Sequence, residues 1–202
     1  MLKSAEPVVR SSVEETRHRI LTATREIYAQ KGTRGTTTRE VADRADVNEA
    51  TLFRHFGTKG QLLNEMLEYF GPSKTIPVLL REVRGLDSLE AQLEYLGLGV
   101  VESMRQREDL IKVTMAEELA NPGGMTCAWR GVNVARGEIG AFLQEKVERR
   151  ELSGDPDALT RLLMSLFFAY VMARKIWSDS EASTETVIKM IVHLFLNGAR
   201  VR

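Results

Sequence analysis

The sequence predicts an all-α fold, and three observations predict it. Apolar residues recur at helical spacing along most of the chain, as in Ile20, Ala23, Ile27 and Tyr28, or Leu89, Leu93, Leu96, Val100 and Met104. Most runs begin at a capping residue or end at a Gly or Pro stop. No stretch alternates apolar and polar residues long enough to read as a strand, and no internal repeat is present. The chain has 202 residues, 43% apolar and 28% charged, enough for one small and one larger helical domain.

Residues 1–12 read as a flexible polar tail with Pro7 and no periodicity. A first helix is expected from Val13 to Gln30, closed by Lys31 and Gly32. Thr37 with Glu40 forms a capping-box pattern for a short helix whose inner face is Val41, Ala42 and Ala45. Asp46-Val47-Asn48 breaks it, and Asn48 caps a second short helix with Leu52 and Phe56 inward. Thr58-Lys59-Gly60-Gln61 repeats the cap, and Leu62, Leu63, Met66, Leu67 and Phe70 continue as the stripe of a third helix.

Beyond Gly71-Pro72, helices are expected over 76–83, 89–105 and 110–120, the last stopped by Asn121-Pro122-Gly123-Gly124. A long helix is expected from Met125 to Arg150. Another follows Asp155, as N-cap, with Pro156 at its first position, and a last one runs from Ser183 or Thr184 to Ala199. Residues 13–60 thus form one domain and residues 61–202 a second.

The two short helices around Asp46 describe a helix-turn-helix. The outer face of the second carries Glu49, Ala50, Thr51, Phe53, Arg54 and His55, groups able to address base edges and phosphates in a major groove. Formal net charge is zero, but Arg10 to Gly60 carries a net +3, which suits contact with phosphates through one end. The three histidines are far apart and in no metal-ligand spacing, and neither a phosphate loop nor a nucleophile elbow appears. No enzyme, metal site or cofactor is expected. The single cysteine, Cys127, suits a reducing compartment, and the greasiest run, Leu162 to Ala173, is too short to span a bilayer. With no leader-like segment at the start, a cytoplasmic protein without membrane association is expected.

The order Thr37, Val41, Ala42, Ala45, then Val47, Asn48, Thr51, Leu52, Phe53, His55, Phe56, then Thr58, Lys59 and Leu62 or Leu63 resembles the DNA-binding domain of the TetR (TetR/AcrR type) family of bacterial transcriptional regulators. That resemblance implies an N-terminal three-helix DNA-binding domain and a larger C-terminal helical domain for ligand binding and dimerisation. It implies that Thr38, Arg39, His55 and Lys59 meet phosphates while Asn48, Glu49, Ala50, Thr51, Phe53 and Arg54 face the groove. Arg54 is the side chain there able to grip guanine bidentately. Three positions depart from the family pattern: Asp46 where glycine is common, Phe53 where tyrosine is common, and Gly60 in place of a glutamate.

The helix after Asp155 is apolar around much of its girth and needs partners on two sides. With the resemblance, this implies a homodimer through the last two helices, with Leu163, Phe167, Tyr170, Ile191, Leu194 and Phe195 as interface candidates. A two-fold dimer expects a near-palindromic operator in double-stranded DNA. The family's habit of holding a small-molecule effector makes Met104, Met115, Trp129, Asn133 and Phe168 candidates for a pocket lining, and release from DNA by that effector the expected mode of a repressor. A ligand-independent DNA-binding protein, or one responsive to redox state through Cys127, is the alternative on the same fold.

Overall fold

The computed structural model describes residues 6–122, 129–174, 176 and 182–199, with side chains described from Ser12 to Gly198 within those ranges. Among them are ten helices and no strand: α1 (Glu6–Gly35), α2 (Thr38–Arg44), α3 (Glu49–Phe56), α4 (Lys59–Tyr69), α5 (Thr75–Val83), α6 (Leu89–Arg105), α7 (Glu108–Ala120), α8 (Arg130–Glu148), α9 (Pro156–Ala173) and α10 (Thr184–Ala199). The all-α expectation holds, and the helix bounds fall close to those set by caps and stops. Helix α1 is the exception, beginning at Glu6 inside the stretch expected to be a tail. The start expected for the long helix at Met125, and Cys127, lie outside the described residues.

The chain forms two compact units. The first comprises residues 1–70 together with 109–129, and the second residues 71–108 and 130–202. This division differs from a boundary at residue 60 in two ways. Helix α4 stays with the first unit because Leu62, Leu63 and Met66 are buried in the same core as Ile20, Ile27 and Tyr28 of α1. Helix α7 joins that unit from far along the sequence, placing Leu110 in the core with Val113 packed beside it. The Arg25 guanidinium adds a link to Asp109 at 3.0 Å and lies 5.0 Å from the Phe70 ring centroid.

Gly32 interrupts α1 with φ 65°, ψ −171°, a left-handed backbone that favours glycine. The chain then makes one further turn, in which both the amide and the hydroxyl of Thr36 donate to the Gly32 carbonyl, at 3.1 and 2.7 Å. This turn delivers Thr37 to the start of α2.

In the second unit, α6 supplies Leu93, Leu96, Val100 and Val101 to a core shared with α5, α8, α9 and α10. Gly97 permits a close approach: a Cβ there would lie 2.8 Å from Ile188 of α10 and from Phe167 of α9. Asp155 caps α9, its carboxylate accepting from the Ala158 amide at 2.8 Å, with Pro156 in the first turn. At eighteen residues, α9 as a whole is long and apolar enough to cross a membrane by length and composition alone, a property that the core helix of a soluble protein shares. Leu159, Leu163, Phe167 and Val171 pack it into the unit's core.

Candidate nucleic-acid interface

Local side-chain chemistry builds the helix-turn-helix. Thr37 caps α2, its hydroxyl accepting from the Glu40 amide at 3.2 Å. The reciprocal half of the expected capping box is replaced: the Glu40 carboxylate accepts from Lys31 Nζ at 2.7 Å, tying α2 to the end of α1. The turn passes through Asp46 at φ 53°, so this position does take the left-handed backbone for which glycine is common in the family. Asn48 Oδ1 then accepts from the Thr51 amide at 2.7 Å and starts α3. Gly57, at φ 72°, ends it. At Thr58 the capping box is complete, with bonds of 3.2 Å from the Gln61 amide and 2.9 Å from the Thr58 amide to the Gln61 side chain.

Leu52 and Phe56 are buried, which pins the orientation of α3. Its opposite side presents Ala50, Phe53 and Arg54 to solvent, with Glu49, Thr51 and His55 half-buried beside them. Arg39 and Asn48 are exposed, and Thr38 and Lys59 half-buried, at the starts of the flanking helices. Thr38 Oγ1 and Glu49 Oε1 are 3.5 Å apart, bringing the first turns of α2 and α3 together. The ten residues singled out from the sequence therefore all lie on one three-helix unit, at or beside its outward helix surface.

Charge is distributed unevenly over this unit. Arg17, Arg19, Arg25, Lys31 and Arg44 each pair with a carboxylate. Among the described residues of α1 to α4, Arg34, Arg39, Arg54 and Lys59 have no such partner. His55 titrates below its ordinary value, first because partial burial disfavours the imidazolium, then because Arg54 and Arg17 repel it. That shift favours the neutral imidazole.

Sequence reasoning missed the supports behind this surface. Arg17 of α1 pairs with Glu65 of α4 and donates to the backbone carbonyl of His55 at 3.4 Å. No local signal marks it, because its partners lie 38 and 48 residues away.

The residues proposed for a pocket do not assemble in one unit: Met115 and Trp129 belong to the first, Met104, Asn133 and Phe168 to the second. Trp129 Nε1 donates to Glu118 at 3.4 Å, Met104 packs half-buried against the second core, and Asn133 is exposed. The dimer candidates divide by burial within the single chain. Leu163, Phe167 and Phe195 are committed to the second unit's own core, and Tyr170 and Ile191 pack against it. Leu194 is 67% exposed, and the other exposed apolar side chains of these helices are Leu162 and Met190, one residue off the expected positions.

Known proteins bear directly on this arrangement. Residues 20–66 match the family model of bacterial regulatory proteins, tetR family. The chain is 34% identical over 102 residues to the uncharacterized HTH-type transcriptional regulator YvkB of Bacillus subtilis (strain 168), covering 50% of this chain and 52% of that one. It is 37% identical over 84 residues to the HTH-type transcriptional repressor Rv3405c of Mycobacterium tuberculosis, covering 42% and 44%. The chain thus spans about half the length of the curated relatives it matches. Its backbone is similar to that of a TetR family transcription regulator from Marinobacter aquaeolei VT8, with a TM-score of 0.73 at 18% identity over 96% of this chain and all of that one. The relatives' names are those of regulators and not of enzymes. The matched segment, residues 20–66, is thus similar to the DNA-binding domain of tetR-family bacterial regulatory proteins, with its helix-turn-helix caps and buried Leu52 and Phe56 in place.

Proposed function

We propose that the protein is a cytoplasmic, sequence-specific DNA-binding transcriptional regulator, working as a dimeric repressor on a near-palindromic operator and released from it by a small molecule. The observation that carries the DNA-binding part is the group of three cations without carboxylate partners, Arg39, Arg54 and Lys59, at the outward starts and face of α2, α3 and α4. Arg54 reads a guanine; Arg39, Lys59, Thr38 and His55 hold phosphates; Phe53 offers apolar contact to a thymine methyl. Exposed Leu162, Met190 and Leu194 support a second copy as the partner of α9 and α10. An effector acts by preferring the shape that cannot bind DNA.

Selection of bound duplexes from a random pool at fixed salt tests this reading. The expected product is a palindromic site. Arg54→Ala costs about 1–3 kcal/mol and relaxes one position per half-site. Lys59→Ala weakens all sequences alike and makes the salt dependence shallower by about one unit. Salt-sensitive binding without sequence preference would overturn the regulator reading.

A further inference from the structure

Helix α7 reaches the reading head through one carboxylate. Glu117 Oε1 accepts from the Thr33 amide at 2.5 Å, while Oε2 accepts from the Thr33 hydroxyl at 2.8 Å and from the Tyr28 hydroxyl at 3.0 Å. Tyr28 is fully buried, and its oxygen also lies 3.3 Å from Thr114 Oγ1 one turn earlier on α7. These partners are 84 to 89 residues apart in sequence. The Thr33 amide opens the extra turn that follows the left-handed Gly32, so the Glu117 carboxylate holds the first donor of that turn. A side chain at Gly32 would also collide with the carboxylate, since a Cβ there falls 2.6 Å from Glu117 Oε1. Gly32, Thr33 and Glu117 therefore form one fitted joint.

The joint sits four residues before Thr37. The turn it holds, closed by both Thr36 bonds to the Gly32 carbonyl, sets where α2 begins. Lys31, the residue before the joint, continues the link by pairing with Glu40 in the first turn of α2. The N-terminal turn of α2 carries Thr38 and Arg39, which the regulator reading assigns to phosphates.

We infer that Glu117 is a positioning residue for DNA binding: by capping the Thr33 amide from α7 it holds the α1–α2 turn and so aims the phosphate-contacting start of α2. This rests on the regulator reading. A group with this role acts on the register of α2 and leaves base readout by α3 alone. Its loss removes phosphate contacts in the folded protein, apart from any effect on stability.

The full-length chain tests this with Glu117→Met, which keeps length and removes the acceptors, and Glu117→Gln, which keeps an oxygen for the Thr33 amide. Three readouts are taken: Thr33 amide exchange, affinity for the selected duplex, and the slope of log affinity against log salt. For Glu117→Met the expected results are faster Thr33 exchange, roughly ten-fold weaker binding and a slope shallower by about one unit, the signature of one lost phosphate cation. The Arg54-dependent preference is retained, and Glu117→Gln recovers most of the affinity. Should the Met variant fail to fold, Tyr28→Phe and Thr33→Ala, each removing one hydroxyl from the carboxylate, are expected to move the slope in the same direction. A folded Met variant with unchanged slope and affinity overturns the inference while leaving the regulator reading standing. If the wild-type chain selects no site, the regulator reading falls, and the same slope on generic duplex DNA decides the inference.

Discussion

The guanidinium of Arg17 lies 4.6 Å from the centroid of the Phe56 ring. Arg17 belongs to α1 and Phe56 closes α3, so the contact clamps the end of the outward helix to the scaffold behind it. The same guanidinium pairs with Glu65 of α4 and donates to the His55 carbonyl, at the C-terminal end of α3 where a cation is favoured.

Replacing Arg17 by Ala is expected to destabilise the protein by about 1–2 kcal/mol, from a partly exposed cation–π contact and an ion pair of modest worth. Urea unfolding of Arg17→Ala, Glu65→Ala and the double variant measures it. A coupling near zero would show that the ion pair contributes nothing and leave the effect to the stacking on Phe56 and the bond to the His55 carbonyl.

Asn48 caps α3, and the proposed function gives it a second, separable role as a DNA contact. Asn48→Ala is expected to cost about 1 kcal/mol of stability through loss of the bond to the Thr51 amide. Asn48→Asp keeps the cap, so thermal stability should stay near wild type, while its charge weakens DNA binding. Equal DNA affinity for Asn and Asp would remove position 48 from the contact surface.

His55 yields a pH prediction with two opposite signs. Its depressed value in the free protein means that the unfolded chain takes up a proton first as pH falls, so its contribution to stability is present above about pH 6.5 and lost below it. A nearby phosphate favours the imidazolium, so DNA affinity should rise as pH falls, by no more than about ten-fold per pH unit for one proton. Titrating binding against pH for wild type and His55→Gln checks this. A pH dependence that survives in the Gln variant would assign it elsewhere.

Burial pushes the Tyr28 hydroxyl up to about 12, with the Glu117 charge adding to the shift and the Thr114 bond opposing it. Its folded value is raised, so its stability contribution is complete below pH 10 and is lost as pH rises from about 10 to 12. The loss is on the order of 2–3 kcal/mol. Comparing unfolding of wild type and Tyr28→Phe across that window checks it: the Phe variant should show the shallower decline.

How much could be read in advance follows from the range of the interactions. The caps at Thr37, Asn48, Thr58 and Asp155 each act within three residues, and all four bonds form. The left-handed turn at Asp46 was legible for the same reason. Pairing of α7 with α1 was not, because neither Leu110 nor Glu117 carries a mark of its distant partner. On α9 and α10 the apolar residues nearly encircle the helices, so spacing alone could not separate buried Leu163 and Phe195 from exposed Leu162 and Leu194. The residues expected to meet DNA are local to the helix-turn-helix pattern, whereas Arg17 and Glu117, which hold that surface in place, act over long range and stayed hidden.

The two-segment make-up of the first unit has a consequence for synthesis. The first 70 residues leave the ribosome without Leu110 to complete their core and without a carboxylate to accept the Thr33 amide. At about 5–20 residues per second, the further 50 or so residues needed to supply α7 take several seconds. A nascent chain therefore carries an unfinished head through that interval, and a message truncated after residue 70 would release a fragment with an open core in place of a small DNA-binding protein.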